Sequence, residues 1–597
     1  MKLPKKKPAK PTKATKSTKT AKPAKKRTAK KAVPIKVVPA DTSIIEWRYK
    51  VVIAFILILL GALLVRVAYI QVIEPDSLIK QGDMRSVRVK ALPSARGIIS
   101  DRNGEQIAVS VPVEAVYADP RTIFEKGDAL QDVTRWHALA DVLHLDREAL
   151  IHQIDKNKHR RFIYIQRQVS PAMAKYIKEL KLKGIGLRDE SRRYYPTGEV
   201  SAHVVGVTGI DSHGLEGVEK SYDKWLSGHD GSRKVRKDRD GRVVENISMT
   251  KSEQGSPLQL TIDQRLQAIA YRAIKQAVAD HRATSGSVVL IDVQTGGILA
   301  MVNSPSYNPN TRDQLQTFRM RNRSITDALE PGSSVKPFVV LAALDNGTAD
   351  LNTIIDTGNG IMRIGGSRVR DSVKIGKADL KTILKKSSNI GVTHLALGMP
   401  LDSLLGMYQS VGFGSASGIN LVGETTGLFP NRRRWSKFEI ATLAFGYGLT
   451  VSPLQLAHAY ATLGSYGSFK PLHIVKGSKQ LPAKQIADSK HVREVLEMLE
   501  GVTHKGGTAT RAAVPGYRVG AKTGTSRKAK AGGYSDEYVT ITAGVAPISN
   551  PRVALVVVVN EPQGDDYYGG SVAAPVFSVV LKGALQILNV PPDANTN

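Results

Sequence analysis

The stretch Glu330–Gly347, EPGSSVKPFVVLAALDNG, sets two adjacent serines and a lysine before an apolar run closed by glycine. Proline is tolerated in the first turn of a helix but not deeper, so Pro337 places the helix start beside the serines, and Gly347 marks its end. Ser333 lies three residues before Lys336 and shares its helix face; Ser334 lies two before and points elsewhere. A neutral amine at Lys336 could take the Ser333 proton, and a helix N-terminus favours developing negative charge. A capping hydroxyl is the other reading of Ser333. Ser-x-x-Lys alone does not separate the two, because the chain repeats it at Ser77, Ser221 and Ser248.

The surrounding sequence, from residue 255 onward, has the pattern of a compact unit. Asp263 can cap a helix in which Leu266, Ile269, Ala273, Ile274 and Ala277 recur at helical spacing. SVVLIDV and ILAMVN, joined by Gln294–Gly297, read as a β-hairpin. YVTITAGVAP and RVALVVVVN read as a later strand pair, and APVFSVVLKGALQIL as a closing helix. Helices at both ends with strands just inside them predict an α+β unit, a central antiparallel sheet covered by helices. Residues 74–254 differ in texture, being charged and turn-rich with helical patches such as 138–154, and predict an extended mixed α/β domain.

At 597 residues the chain is long enough for at least two folded units. Without cysteine it has no disulfides and no thiolate chemistry. Residues 1–50 hold 17 Lys/Arg against two acidic residues, a net +15 of the chain's +32. The first 46 residues, mostly Lys, Ala, Pro and Thr, cannot offset chain entropy and are expected to be a disordered basic tail. A polycation suits phosphates, but the next segment gives a better account than nucleic-acid binding. Residues 47–73 contain WRYKVVIAFILILLGALLVRVAYIQVI, with no charge from Val51 to Val65. As a helix, its apolar part spans roughly 34 Å, enough for a bilayer core. The flanking lysines predict an uncleaved signal anchor with the tail cytoplasmic and the remainder outside.

Two further elements follow Ser333 in order. KKSSNIGV supplies Ser387-x-Asn389, and GAKTGTS supplies Lys522-Thr523-Gly524-Thr525 after a strand expected at 517–521. Ser-x-x-Lys, Ser-x-Asn and Lys-Thr-Gly in this order, 54 and 135 residues apart, resemble the penicillin-binding proteins and serine β-lactamases. RGIISDRNG (96–104), RRYYPTGEVSAHVVG (192–206) and GLEGVEKSYDKWLSG (214–228) resemble the pedestal of class B penicillin-binding proteins, so the likeness covers nearly everything beyond the tail. No EDxxFxxHxG glycosyltransferase signature marks a bifunctional class A member. EPGSSVKPF, AFGYGLTVSPLQLA and YYGGSVAAPVF are most similar to the division-specific class B transpeptidases.

The resemblance implies a pedestal (dimerisation-type) domain at 74–254, a transpeptidase domain at 255–590 and a short tail at 591–597. It implies a serine D-Ala-D-Ala transpeptidase inhibited by β-lactams, with Ser333 as nucleophile, Lys336 as base and Ser387 as proton relay. The oxyanion would lie between the backbone N–H groups of Ser333 and Thr525. Asn389 would hold a substrate amide; Lys522, Thr523, Gly524 and Thr525 would bind the terminal carboxylate. The implied partners are peptidoglycan stem peptides, the cytoplasmic membrane, an FtsW-type glycosyltransferase and other divisome membrane proteins. An elongation-type transpeptidase and a β-lactam sensor or hydrolase are the alternatives, the last lacking a Glu-x-x-Leu-Asn signature. No His-Glu-x-x-His suggests a metal, and residues 501–508 lack the lysine of a phosphate loop; no cofactor is expected. Tyr447 and Tyr568, in glycine-rich loops, read equally as cleft lining or as turn aromatics.

Overall fold

The computed structural model describes residues 42–125, 130–238, 242–312, 315–478, 481–530, 532–564 and 566–594. The basic tail up to residue 41 lies outside them. The chain divides into two units, Met1–Ser86 and Val87–Asn597.

In the first unit the α-helix Thr42–Ala68 runs into a π-helical turn, Tyr69–Ile73, followed by the helix Pro75–Ser86. The 28 residues Glu46–Ile73 are long and apolar enough to cross a membrane. Their apolar side chains from Val51 to Val65 are exposed instead of packed on protein, the arrangement a lipid-facing helix needs.

In the second unit the pedestal is built on the strand Gln106–Ala118, which pairs antiparallel with Ile163–Val169 and Ile185–Tyr194. The helical patch expected at 138–154 is two helices, Val133–Val142 and Arg147–Lys156, capped by Asp132 and Asp146. His144, at φ 54°, makes the turn between them. The three pedestal segments singled out in the sequence meet at one buried cluster. Arg96 donates to Glu219 (2.5 Å) and to Asp223 (2.6 Å), and Arg193 donates to the other Glu219 oxygen (2.7 Å). Such a cluster is costly to break from one side, because a lone buried charge is left behind.

The pedestal does not stop cleanly at residue 254. Leu258–Gln259 pairs parallel with Ile99–Ser100, and the main core runs continuously from Ile99 and Val204 of the pedestal into the sheet of the C-terminal part. Asn310 fixes Tyr195 through its Oδ1 and Nδ2 (3.0 and 2.9 Å), and Tyr307 Oη donates to Ala202 O (3.0 Å).

The C-terminal part centres on five antiparallel strands in the spatial order Ile298–Ser304, Ser285–Asp292, Val553–Asn560, Gly533–Ala546, Gly520–Lys530. Ser285–Asp292 and Val553–Asn560, the strands at the middle of the sheet, are buried at nearly every position, which is why they read as apolar runs without alternation. The helices Gln264–Asp280 and Gly569–Ile587 pack against each other and the sheet, and Pro453–Gly464 also packs on it. Gly569–Ile587 is also long and apolar enough to cross a membrane but is half buried in this way. The Lys-Thr-Gly segment lies inside the edge strand Gly520–Lys530, not after a strand ending at 521. Its Lys/Thr/Gly/Ser/Arg composition carries no strand alternation; pairing of Lys522 with Ala543 and Thr525 with Thr540 makes it one. At the C-terminus, Asp593 accepts from Arg518 N (2.7 Å) and Ser549 Oγ (2.7 Å), tying the last described residues to the domain.

Candidate active site

The opening stretch folds as a 3-10 turn, Gly332–Val335, that feeds the α-helix Lys336–Asp345, with Pro337 in its first turn and Gly347 (φ 77°) beyond its end. Side chains three apart eclipse in a 3-10 turn, so Ser333 and Lys336 are brought to the same side. Ser333 is half-buried and opens on a cleft of about 640 Å³. Ser334 is fully buried, and its hydroxyl donates to Pro331 O (2.7 Å) while Tyr460 Oη donates to its carbonyl (2.8 Å). The two serines are therefore not equivalent: one faces the cleft and the other fastens the turn.

Gly446 (φ 84°) backs this turn. A Cβ there would lie 2.1 Å from Gly332 O, so only glycine allows the approach. On the other side Gly524 meets Pro331, whose carbonyl would be 2.8 Å from a Cβ at 524. That contact brings the edge strand, and with it Thr525, beside Ser333. Ser526 Oγ reinforces it by donating to Glu330 O (2.8 Å).

Ser387 and Asn389 sit where one helix ends and another begins. Leu380–Lys386 terminates at Ser387, which takes the left-handed conformation (φ 60°), and Ser388 caps Asn389–Gly398 by accepting from Gly391 N (2.8 Å). A non-glycine residue in this region costs about 1–3 kcal/mol, tolerated only where the surroundings impose it. The result is a Ser387 hydroxyl between two lysines, 3.3 Å from Lys336 Nζ and 2.9 Å from Lys522 Nζ.

Lys336 Nζ also donates to Ser387 O and Asn389 Oδ1, both at 2.6 Å. These two partners are acceptors only, so a neutral amine uses its two N–H bonds on them and keeps its lone pair for a proton. Burial supports that state. Both lysines are fully buried. Lys336 is held well below the ordinary lysine value by desolvation and then by the nearby Lys522 charge, with Asp371 opposing; desolvation lowers Lys522 to about 7.

Thr523 and Thr525 complete the wall along the edge strand. The Thr523 hydroxyl bonds that of Thr508 (2.9 Å), and Thr525 Oγ1 accepts from Gly569 N (3.0 Å), which leaves the Thr525 hydroxyl hydrogen for a ligand. Tyr447 and Tyr568 both line the cleft; Tyr568 stacks on Tyr567, itself stacked on Tyr538. The structure thus brings together all eight residues singled out by sequence: Ser333, Lys336, Ser387, Asn389, Lys522, Thr523, Gly524 and Thr525.

Sequence reasoning missed three contributors. Thr508, the last residue of the segment 501–508, lines the cleft. Glu330 accepts from Gly448 N (2.9 Å) and Tyr534 Oη (3.2 Å), tying the Ser333 turn to the loop that carries Tyr447. Asp371 accepts from Ser388 Oγ (2.5 Å), Asn389 N (2.5 Å) and Ile390 N (3.0 Å), a carboxylate seated on a helix N-terminus. Only the fold relates these residues to the motifs, so no local spacing marks them.

Opposite pH shifts are expected from the two charges flanking Lys336. The rate of acylation at Ser333 should rise with pH as Lys336 loses its proton, below the usual lysine range. Lys522→Gln removes a repelling cation and should move this acid limb to higher pH on whatever activity remains. Asp371→Asn removes an attracting anion and should move it lower, with acylation also reduced roughly tenfold as charge-assisted bonds are lost. Stopped-flow acylation across pH measures both; shifts of the same sign would contradict the charge assignment.

A buried lysine amine behind a half-exposed serine, beside a strand edge and a helix N-terminus, is the make-up of a serine acyl-transfer site on a mixed α/β domain. The comparisons agree. Residues 286–582 match the penicillin binding protein transpeptidase domain and residues 91–260 the penicillin-binding protein dimerisation domain. The peptidoglycan D,D-transpeptidase FtsI of Escherichia coli (strain K12) is 51% identical over 92% of this chain and 94% of its own. The probable peptidoglycan D,D-transpeptidase PbpC of Pseudomonas aeruginosa is 38% identical over 91% and 96%. A solved peptidoglycan synthetase from Bifidobacterium adolescentis superposes with a TM-score of 0.66 at 25% identity, covering 86% of this chain and 98% of that one. The transpeptidase domain of Burkholderia pseudomallei penicillin-binding protein 3 covers 56% of this chain and 98% of its own, with a TM-score of 0.52 and 38% identity. The chain belongs to the penicillin-binding protein family, within its class B, FtsI-like group.

Proposed function

We propose that this chain is a peptidoglycan D,D-transpeptidase that cross-links stem peptides at the division septum through an acyl-enzyme on Ser333 and is blocked when a β-lactam acylates the same serine. The observation that carries the reading is the Lys336–Ser387–Lys522 contact at the buried base of the cleft, which keeps an amine available for proton transfer. Ser333 Oγ attacks the penultimate D-Ala carbonyl while Lys336 takes its proton. Backbone N–H groups of Ser333 and Thr525 hold the oxyanion, a pre-aimed donor pair being worth several kcal/mol in the transition state. Collapse breaks the amide bond, and Ser387 passes a proton to the departing D-Ala nitrogen. Asn389 orients a donor amide, and the donor extends along the edge strand with its carboxylate toward Lys522, Thr523 and Thr525. The amine of a second stem peptide then displaces the ester.

The helix Glu46–Ile73 anchors the chain in the cytoplasmic membrane with the residues before it inside, by the positive-inside rule. An FtsW-type polymerase and other divisome membrane proteins meet the anchor and the pedestal. The test uses the full chain in detergent with lipid-linked glycan carrying D-Ala-D-Ala stems. Cross-linked product should appear in step with released D-Ala. Release without cross-links would make it a carboxypeptidase, and sustained penicillin turnover a hydrolase. A tagged chain should gather at midcell during constriction; an even sidewall signal would favour elongation.

A further inference from the structure

A second cavity, about 550 Å³ in volume, adjoins the catalytic cleft and shares Asn389, Phe445 and Tyr447 with it. Its other walls come from the strand Ser367–Arg370, the segment 430–443, Gly448 and Tyr534. None of its lining residues belongs to the edge strand Gly520–Lys530. A donor peptide laid along that strand leaves this cavity free.

The cavity is strongly basic. Arg368, Arg370 and Arg432 line it against a single carboxylate, Glu439. That carboxylate is already engaged: it pairs with Arg432 and accepts from Ser436 N and Oγ, both at 2.8 Å, as the capping box of the helix Lys437–Ala444. Arg368 and Arg370 flank the buried Val369, so strand alternation puts both on one face. Neither has an ion-pair partner among the described residues. Two free guanidinium forks on one face match a carboxylate better than any neutral group, since each can grip it with two parallel N–H bonds. Trp435, with the Arg432 guanidinium 5.8 Å from its ring centre, adds a flat apolar wall.

We propose that this cavity is the acceptor subsite, binding a peptide that carries a carboxylate beside its nucleophilic amine. The inference rests on the transpeptidase reading above. Held by Arg368 and Arg370, the acceptor reaches the Ser333 ester past Asn389 and Tyr447. Its amine nitrogen attacks the ester carbonyl: the C–N bond forms, the bond from that carbon to Ser333 Oγ breaks, and the amine proton passes to Lys336 and on to Ser333 Oγ. Placing the amine is what lets it outcompete water, which is far more concentrated.

The test is a partition experiment on the full chain in detergent. A soluble peptide ending in D-Ala-D-Ala is the donor, offered with one of two acceptors. These are a peptide whose terminal diamino acid has a free carboxylate, and the same peptide with that carboxylate amidated. Mass spectrometry measures cross-linked against hydrolysed donor. The acid should capture the acyl-enzyme about tenfold better than the amide, and the Arg368→Gln/Arg370→Gln chain should lose that advantage. Labelling of Ser333 by a fluorescent penicillin should persist in that variant, reporting an intact donor half-reaction. Arg368→Glu/Arg370→Glu should invert the preference toward the amide, an outcome misfolding cannot produce. An acid preference that survives both variants, or its absence from the unaltered chain, would overturn the acceptor assignment. Failure of the unaltered chain to be labelled would instead overturn the transpeptidase reading.

Discussion

Ser333→Ala should abolish covalent labelling by penicillin and stem-peptide cross-linking together. The side chain supplies the only oxygen the mechanism can acylate, and removing a nucleophile from a preorganised site costs on the order of a millionfold in turnover. The substitution should leave the fold intact, because Ser333 is half-buried at the cleft and its neighbours fasten the turn. Ser334→Ala is the matched control: it deletes the 2.7 Å bond to Pro331 O and should lower the melting temperature modestly while labelling persists. Fluorescent penicillin on a denaturing gel reads both variants. A labelled Ser333→Ala chain would sink the nucleophile assignment, and an unlabelled but folded Ser334→Ala chain would show that the two serines had been wrongly separated.

Lys336→Met should be nearly as damaging. The substitution keeps an unbranched chain of similar length, with sulfur in place of Cδ and no nitrogen at its end, so Ser333 loses the base proposed for it. General-base loss costs roughly a hundred- to ten-thousandfold. Ser387 O and Asn389 Oδ1 each lose a 2.6 Å bond, but a desolvated amine is lost as well, so folding should change far less than acylation does. Lys336→Arg should not rescue, because a guanidinium stays protonated and offers no lone pair. Acylation rates beside thermal melts separate the two effects. Acylation within tenfold of the unaltered chain in Lys336→Met would move the base to another group.

Several site features were legible because they depend on neighbours along the chain. Pro337 and Gly347 bound the helix, and the three-residue step from Ser333 to Lys336 survives as a 3-10 turn. The hairpin after residue 285 and the helix capped by Asp263 were equally readable, since apolar period and turn chemistry are local. The strand Gly520–Lys530 was not, because its residues become a strand only by pairing with Gly533–Ala546. A boundary at residue 254 also failed to anticipate that Leu258–Gln259 closes against Ile99–Ser100.

The sequence by itself singled out the residues to which chemistry is assigned in the proposal: the serine and lysine of one turn, the Ser-x-Asn between two helices and the single Lys-Thr-Gly, together with the apolar helix near the N-terminus. Only the tertiary structure decided their chemical state. Packing buries Lys336 and Lys522 side by side and so lowers the proton affinity of each, and it threads Ser387 between them in a left-handed conformation. It also seats Asp371 beneath Asn389 and leaves Arg368 and Arg370 on an open wall beyond it. Burial and charge proximity are sums over distant segments of the chain, and no local pattern encodes them.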